Sequence, residues 1–376
     1  MRMPRALSVF AVLGFVLLRV DPARAAAFFV PLGVLEGGDF SSALGISADG
    51  STVVGVGNSR TSISEPFRWT SAGGMEGLGG FFGQANGASA DGSVVVGYTG
   101  NVFRWTSADG RVDLGFGPDR AFLFPNGVSA DGSVVVGTGL TASGEWEATR
   151  WTSAGGAVGL GDLPGGQFQS IATGVSGDGS IVVGRGLIAD AQLAFRWTSA
   201  GGMVSLGDLP GGETGSMAND ISLDGSTIVG VGRSAIGDEA FRWTSGGGME
   251  GLGFVPGDSW STAYGVSADG STIVGTSSTG PCCSLNDNAF IWDATNGMRP
   301  LDQVLTELGA DLTGWKLNIA SGVSADGRAI VGSGINPIGH TVAWLAVIPV
   351  IPEPTTLTLL GAGIAALAFA ARRRRA

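Results

Sequence analysis

The sequence predicts an all-β protein, a seven-bladed β-propeller of four-stranded antiparallel blades. A Ser-Ala-Asp-Gly-type block recurs seven times, with aspartates at Asp49, Asp91, Asp131, Asp178, Asp224, Asp269 and Asp326. A second block, first seen as Phe67-Arg68-Trp69-Thr70, follows each copy. Glycine makes up 67 of 376 residues, which indicates many tight turns. A period of about 45 residues with short β-rich segments is typical of propeller blades, whereas the alternative, an open β-solenoid, usually repeats at about 20–30 residues.

Each repeat divides into four strands, as the fourth copy illustrates. Its first strand is predicted at Thr173–Ser176, and Asp178-Gly179 is a hairpin turn signal. The second strand is Ser180–Gly184 and the third is Ala194–Thr198. The fourth is Met203–Gly207, after a glycine-containing turn. We call these strands A, B, C and D.

The two ends of the array predict that the ring closes. The seventh copy ends at Val342–Leu345 and lacks strand D. The segment Phe29–Gly38 precedes the first copy and resembles Met203–Gly212, which holds strand D and the loop after it. We therefore expect the N-terminal strand to complete the last blade, which leaves no free sheet edge.

The repeated blocks Ser-Ala-Asp-Gly-Ser, Val-Val-Gly, Phe-Arg-Trp-Thr and Gly-Asp-Leu-Pro-Gly-Gly resemble the HAF family of extracellular repeats. The resemblance covers roughly residues 32–345. Copies six and seven depart from the family pattern: Ile291 and Ala343 replace the arginine, and Arg328 replaces the serine after Asp-Gly. The resemblance implies architecture and export, and it brings no established catalytic activity.

The N-terminus has the features of a secretory signal. Arg2 and Arg5 precede an apolar run, Ala6–Leu18, and small residues around Ala25 suit cleavage. An uncleaved anchor is the alternative, but the run is short against the ~20 residues that a membrane span needs. We expect residues 1–25 to be a signal peptide and residues 26–349 to form the propeller.

The C-terminal residues 350–376 carry a second signal. Pro352, Glu353 and Pro354 precede an apolar stretch, Thr355–Ala371, which is followed by the cluster Arg372, Arg373, Arg374 and Arg375. This order resembles the PEP-CTERM sorting signal of Gram-negative bacteria, which implies a transient inner-membrane anchor and processing by an exosortase. The protein would then reach the cell surface or the medium. A plain tail anchor is the alternative, and the membrane is expected to be a partner only through this segment.

Charge and residue content exclude several classes of site. The net charge is −11, and both termini are basic, so the body between them is more acidic than the whole and nucleic-acid binding is not expected. With His340 as the one histidine, we expect no histidine-based zinc site, no two-histidine iron site and no Ser-His-Asp triad. The seven repeated aspartates could be read as calcium sites, but one carboxylate per turn is too few for that ion. We predict no catalytic residue, cofactor or metal.

Most of the repeated side chains have a predicted structural role. We expect the five arginines before the strand C tryptophans to pair with repeated aspartates at blade junctions. The seven tryptophans themselves are predicted to be core wedges between blades. Cys282 and Cys283 are adjacent in the sequence. Three states are open to them: a vicinal disulfide, two free thiols, or a disulfide that links two chains.

Loop lengths predict the binding face. The A–B and C–D turns are short and uniform, whereas the B–C and D–A loops vary and lie on the opposite face of the disc. These variable loops contain Trp146, Trp260 and Trp315, which are candidate ligand-stacking residues. They also contain a helix-like insert at residues 302–308. The alternative is that these tryptophans pack within their own loops. Variable loops on a rigid scaffold are the usual place for recognition.

Three functions are compatible with this pattern. The first is a non-enzymatic surface or extracellular-matrix protein that binds an extracellular partner, such as a polysaccharide or a surface protein, through the variable loops. The second is a glycoside hydrolase or polysaccharide lyase that uses loop carboxylates such as Glu145 and Glu147. The third is a purely structural component of the matrix.

Overall fold

Seven four-stranded antiparallel sheets surround a central channel. The structure is a computed structural model that describes residues 26–114, 120–189, 191–280 and 287–349, and residues 27–349 form one compact unit. The predicted seven-bladed propeller is confirmed, and the solenoid alternative is not supported.

The first six blades follow the chain in the order A, B, C, D. Blade 1 is β2 (Ser41–Ile46), β3 (Thr52–Gly57), β4 (Glu65–Thr70) and β5 (Gly74–Gly77). Blade 2 is β6 (Gln84–Ala88), β7 (Val94–Tyr98), β8 (Val102–Thr106) and β9 (Gly110–Asp113). Blade 3 is β10 (Arg120–Val128), β11 (Val134–Thr141), β12 (Trp146–Thr152) and β13 (Gly156–Gly159).

Blade 4 is β14 (Ser170–Val175), β15 (Ile181–Ile188), β16 (Ala191–Thr198) and β17 (Gly202–Gly207). Blade 5 is β18 (Gly211–Ile221), β19 (Thr227–Ser234), β20 (Asp238–Thr244) and β21 (Gly248–Gly251). Blade 6 is β22 (Trp260–Val266), β23 (Thr272–Ser278), β24 (Asn288–Asp293) and β25 (Gly297–Pro300), and the helix α1 (Leu301–Glu307) follows it. This helix accounts for the predicted insert.

Blade 7 combines the two ends of the described chain. It consists of β26 (Lys316–Val323), β27 (Ala329–Ile335), β28 (Thr341–Val347) and the N-terminal strand β1 (Phe28–Gly33). Strand β1 pairs with β28 in the position that strand D has elsewhere. The predicted closure by the N-terminal strand is confirmed.

A buried serine fastens neighbouring blades together. The Ser216 hydroxyl donates to the Gly207 carbonyl and accepts the Ala194 N–H, so strand A of blade 5 bonds to blade 4. Ser170 and Ser261 repeat this arrangement at two other junctions. At the closing junction the Ser41 hydroxyl accepts the Ala343 N–H at 3.0 Å. The closing junction therefore has the same construction as internal ones.

The core consists of apolar clusters between adjacent blades. A phenylalanine on strand C is fully buried in five blades: Phe67, Phe103, Phe195, Phe241 and Phe290. In blades 1, 2 and 6 the facing glycine of strand B makes room for the ring; a Cβ on Gly55 would lie 2.9 Å from ring atoms of Phe67. Six of the predicted tryptophan wedges, such as Trp69, are half-buried against these clusters.

The prediction for the seventh tryptophan, Trp344, was wrong. Gly332 pairs with Trp344 as Gly55 pairs with Phe67, so Trp344 takes the phenylalanine position and is fully buried. Leu345, rather than Ala343, replaces the arginine, and Ala346 stands in the tryptophan position. Aligning Trp344 with the other strand C tryptophans was therefore wrong by two residues. In this blade the large aromatic side chain occupies the preceding inward-facing position.

The A strands form the wall of the central channel. Main-chain hydrogen bonds join successive blades near the A–B turns, for example from Ala90 N–H to the Ala130 carbonyl and from Ala325 N–H to the Ala48 carbonyl. Nearer the variable loops, side chains bond across the junctions: Asn126 donates to the Ala172 carbonyl at 2.7 Å. The channel is thus held rigidly from both ends.

Candidate functional site

The A–B turns are seven copies of one hydrogen-bonded motif. In the first, Ser47 Oγ–H donates to Asp49 Oδ1, the Ser51 N–H donates to the same oxygen, and the Thr52 N–H donates to Ser47 Oγ. The serine-to-aspartate distance is 2.6–2.8 Å in all seven copies. Gly50 has φ +74°, where glycine is favoured. The repeated aspartates therefore build turns.

These hydrogen bonds favour the ionised carboxylates. The Ser93 N–H, with the Ser93 and Ser89 hydroxyls, lowers the pKa of Asp91 to about 2. The Ser129 hydroxyl, with the Ser133 N–H and hydroxyl, lowers the pKa of Asp131 to about 2. The turn face is thus a regular, anionic surface.

The predicted pairs between the repeated arginines and aspartates are not formed. No ion pair joins Arg68, Arg104, Arg150, Arg196 or Arg242 to a turn aspartate in the described ranges. The Arg68 guanidinium instead lies over Trp105 of the next blade, 5.3 Å from the ring centroid. The aspartates instead accept hydrogen bonds within their own turns, and the prediction was wrong.

An aromatic shelf lies on the variable-loop face of blades 2 and 3. We give this name to Tyr98, Phe124 and Trp146. The Tyr98 and Phe124 ring centroids are 5.2 Å apart at 88°, and those of Phe124 and Trp146 are 6.0 Å apart at 30°. Phe124 is 38% exposed and Trp146 37%. The rings hold one another in place and still present apolar surface to solvent.

Polar groups border the shelf. Glu145 is exposed, and its carboxylate accepts hydrogen bonds from Ser143 at 2.7 Å and from Thr141 at 3.1 Å. Glu147 is buried, and its carboxylate accepts the Gly161 N–H at 3.0 Å. Of these two carboxylates, Glu145 is therefore the one accessible to a ligand on the shelf.

The loop carboxylates recur as clamps for the main chain. Glu239 accepts the Gly253 N–H as Glu147 accepts the Gly161 N–H. Asp162 accepts the N–H groups of Leu163 and Gln169, and Asp208 does the same for Leu209 and Gly215. Burial, with a contribution from nearby Glu147, raises the pKa of Asp162. Their repetition indicates that these groups shape the D–A loops.

The other two candidate tryptophans lie away from the shelf. Trp260 begins β22 in blade 6, is half-buried, and its indole N–H donates to Asp238 at 3.4 Å. Trp315 packs edge-on against Phe29 at 5.3 Å, in the cluster that includes α1 and the closing strand. The structure does not bring the three tryptophans together, and Trp315 has a packing role.

Two shelf residues were missed by the sequence interpretation. Tyr98 is the last residue of a short strand B, and Phe124 lies in the middle of β10, a strand A of nine residues. A signal was present in Phe-Leu-Phe-Pro at residues 122–125, which breaks the repeat pattern with aromatic residues.

The remaining candidates give no further site in the described chain. His340 is exposed in the B–C loop of blade 7. Cys282, Cys283, Pro352, Glu353, Pro354 and Arg372 to Arg375 lie outside the described residues. Within the ranges that the structure describes, no helix is long and apolar enough to span a bilayer, and no three metal-ligating side chains cluster.

The C-terminus matches a known sorting signal. A model of the PEP-CTERM protein-sorting motif matches residues 350–375. The match includes the Pro-Glu-Pro segment and the arginine cluster. It implies export, transient anchoring in the membrane and processing by an exosortase.

Solved structures similar to this chain are distant. TolB from Agrobacterium tumefaciens is 17% identical over 73% of this chain and 94% of its own, with a TM-score of 0.46. TolB from Acinetobacter baumannii is 12% identical over 66% of this chain and 62% of its own, with a TM-score of 0.48. Dipeptidyl peptidase 4 from Porphyromonas gingivalis is 11% identical over 80% and 50%, with a TM-score of 0.40. Similarities of this size carry no functional information. None of the curated proteins is similar to the chain in sequence.

Proposed function

We propose that this protein is a non-enzymatic surface or extracellular-matrix protein of a Gram-negative bacterium that binds a neutral polysaccharide through the aromatic shelf. The sorting motif supports export. The resemblance of the repeats to HAF extracellular repeats agrees with that location. The observation that carries the proposal is the stacked, partly exposed trio of Tyr98, Phe124 and Trp146 on the variable-loop face.

The chemistry of the shelf suits a sugar chain. A flat aromatic ring complements the face of a pyranose that carries C–H groups, and such a contact needs no charge on the ligand. Glu145 is an exposed acceptor for sugar hydroxyls at the edge of the shelf. The net charge of −11 repels polyanionic chains, so a neutral polysaccharide fits better than one rich in uronic acids.

A hydrolase or lyase is the second candidate. The neighbouring carboxylates Glu147 and Asp162, one of them with a raised pKa, favour it, since glycosidases use such pairs. Against it, Glu239 and Asp208 make the same main-chain bonds separately, at two other blade junctions. We therefore propose a clamping role for the pair. Release of reducing ends from a bound polysaccharide, abolished in Glu147→Gln, would establish the enzyme instead.

Affinity electrophoresis in gels that contain a neutral glucan tests the binding proposal. Trp146→Ala and Phe124→Ala should each weaken retardation by about tenfold in dissociation constant, equivalent to ~1.4 kcal/mol of stacking. Phe28→Ala is the matched control, because Phe28 is 61% exposed and begins β1 on the opposite face. Equal retardation of all variants, or none of the wild type with any neutral glucan, would contradict the proposal.

A further inference from the structure

The channel wall breaks its sevenfold pattern at one residue. The position two residues before the repeated serine of the A–B turn is glycine in six blades: Gly45, Gly87, Gly127, Gly174, Gly265 and Gly322. In blade 5 it is Asp220. A single carboxyl group thus lines the channel at a position where the other six blades have glycine and carry no side chain.

The hydrogen bonds of Asp220 leave acceptor capacity on its carboxylate. Oδ1 accepts the Ile221 N–H at 2.8 Å, and Oδ2 accepts the Val266 N–H of blade 6 at 3.1 Å. A carboxylate has about four acceptor positions, so two remain. The side chain lines the channel and keeps part of its surface accessible there.

The surroundings of Asp220 offer no counter-ion. Among the described residues that line the channel, Asp220 is the only charged one, and Tyr264 is the only other titratable one. The residues next to Asp220 on the adjoining strands are Val229, Val266 and Gly174. Burial raises the pKa of the carboxyl to about 7. A positively charged partner would restore the ionised form.

The cavity is large enough for a small molecule and opens on the variable-loop face. Its volume is about 240 Å³, and its mouth adds a space of about 360 Å³. A polar collar lies between the mouth and the carboxyl, formed by Asn86, Asn126, Thr173, Asn219, Tyr264 and Ser321. Below Asp220 the wall is apolar, with Val128, Val175 and Ile221.

We propose that the channel binds a singly charged organic ammonium group, with Asp220 as its counter-ion. The ammonium donates to the free carboxylate lone pairs and to oxygens of the polar collar, and its carbon chain lies along the apolar wall. A divalent metal fits less well, because calcium takes 6–8 oxygen ligands and the channel supplies one carboxylate. This site is independent of the polysaccharide shelf.

Titration calorimetry of the full chain in mild detergent, with n-butylamine as the probe, tests this site. At pH 8 we expect saturable binding that is at least tenfold weaker in Asp220→Asn and in Asp220→Gly, which restores the residue of the other blades. Glu307→Gln, which removes an exposed carboxylate of α1, is the control and should bind as the wild type does. Because the carboxyl must ionise, affinity should fall about thirtyfold between pH 8 and pH 5.5.

Three results would overturn the proposal. The first is the absence of saturable n-butylamine binding at pH 8. The second is equal affinity in the wild type and both Asp220 variants, which would place the amine elsewhere. The third is calcium binding that depends on Asp220 while n-butylamine does not compete, which would make the channel a metal site.

Discussion

The stability of the propeller should depend on pH through Asp220 in a direction opposite to that of the turn aspartates. Burial raises the pKa of Asp220 to about 7 from its ordinary value of 3.8. Between these two values the unfolded chain releases the proton while the folded protein keeps it. The carboxyl therefore costs no stability below pH 3.8, and the cost grows until it is complete above pH 7. Asp220→Gly removes this cost.

The size of the effect follows from the shift. Three pKa units at about 1.4 kcal/mol each give about 4 kcal/mol, which is an upper limit because the side chain keeps contact with channel water. The variant also loses the acceptor of the Val266 N–H and gains glycine flexibility, each at about 1 kcal/mol and independent of pH. We expect Asp220→Gly to be less stable than the wild type at pH 4.5 and more stable at pH 8.5.

Urea unfolding followed by tryptophan fluorescence, at steps between pH 4.5 and 8.5, measures this directly. The difference in unfolding free energy between Asp220→Gly and wild type isolates Asp220 from all other titrating groups. It should change by about 2–4 kcal/mol across the range. A difference that stays constant within about 0.5 kcal/mol would refute the assignment of a buried, proton-retaining carboxyl to the channel.

Three further predictions concern the fold. Ser41→Ala leaves the buried Ala343 N–H without an acceptor and should lower the free energy of urea unfolding by about 2–3 kcal/mol. Ser216→Ala should cost the same at an internal junction. No loss of stability in Ser41→Ala, beside a loss in Ser216→Ala, would contradict closure by β1. Gly55→Ala places a Cβ 2.1 Å from the Ser42 carbonyl oxygen and should cost about 3 kcal/mol or more, whereas Gly246→Ala, with open space around it, should be nearly neutral; equal thermal midpoints would disprove the packing. Because the pKa of Asp131 is lowered to about 2, its carboxylate stabilises the fold above pH 4, and this contribution is lost as the pH falls toward 2. The melting temperature of Asp131→Asn should therefore fall less steeply with acid than that of the wild type. Parallel curves for the two proteins would contradict this role of Asp131.

The repeat made the architecture predictable, because each block has one job in every copy. Asp49-Gly50 and its equivalents are local turns whose geometry does not depend on distant parts of the chain. The closing strand was also predictable, since Phe29–Gly38 repeats a pattern seen inside the array. Local repetition and ring symmetry together determine the fold.

Residues that depart from the repeat were harder to place. Trp344 was assigned by residue type, whereas its pairing with Gly332 places it two positions earlier. Trp315 was expected among the loops, but the apolar face of α1 draws it into a core with Phe29. Such contacts join segments that are distant in the sequence, so the repeat pattern does not predict them.

The site was partly visible in the sequence. Trp146 was a candidate, but its neighbours Tyr98 and Phe124 come from other strands, so their assembly needed the fold. Asp220 could have been found earlier, because it replaces a glycine that the other six copies share. In a repeat protein, the single copy that breaks a rule is the place to look for function.

The central claim, that a neutral polysaccharide binds the aromatic shelf, is tested most directly by hydroxyl-radical footprinting of the protein with and without a bound neutral glucan. Phe28 on the opposite face corrects for radicals that the glucan consumes. The account predicts that oxidation of Phe124 and Trp146 falls severalfold relative to Phe28. Uniform oxidation of the three residues, or protection confined to the turn face, would contradict it.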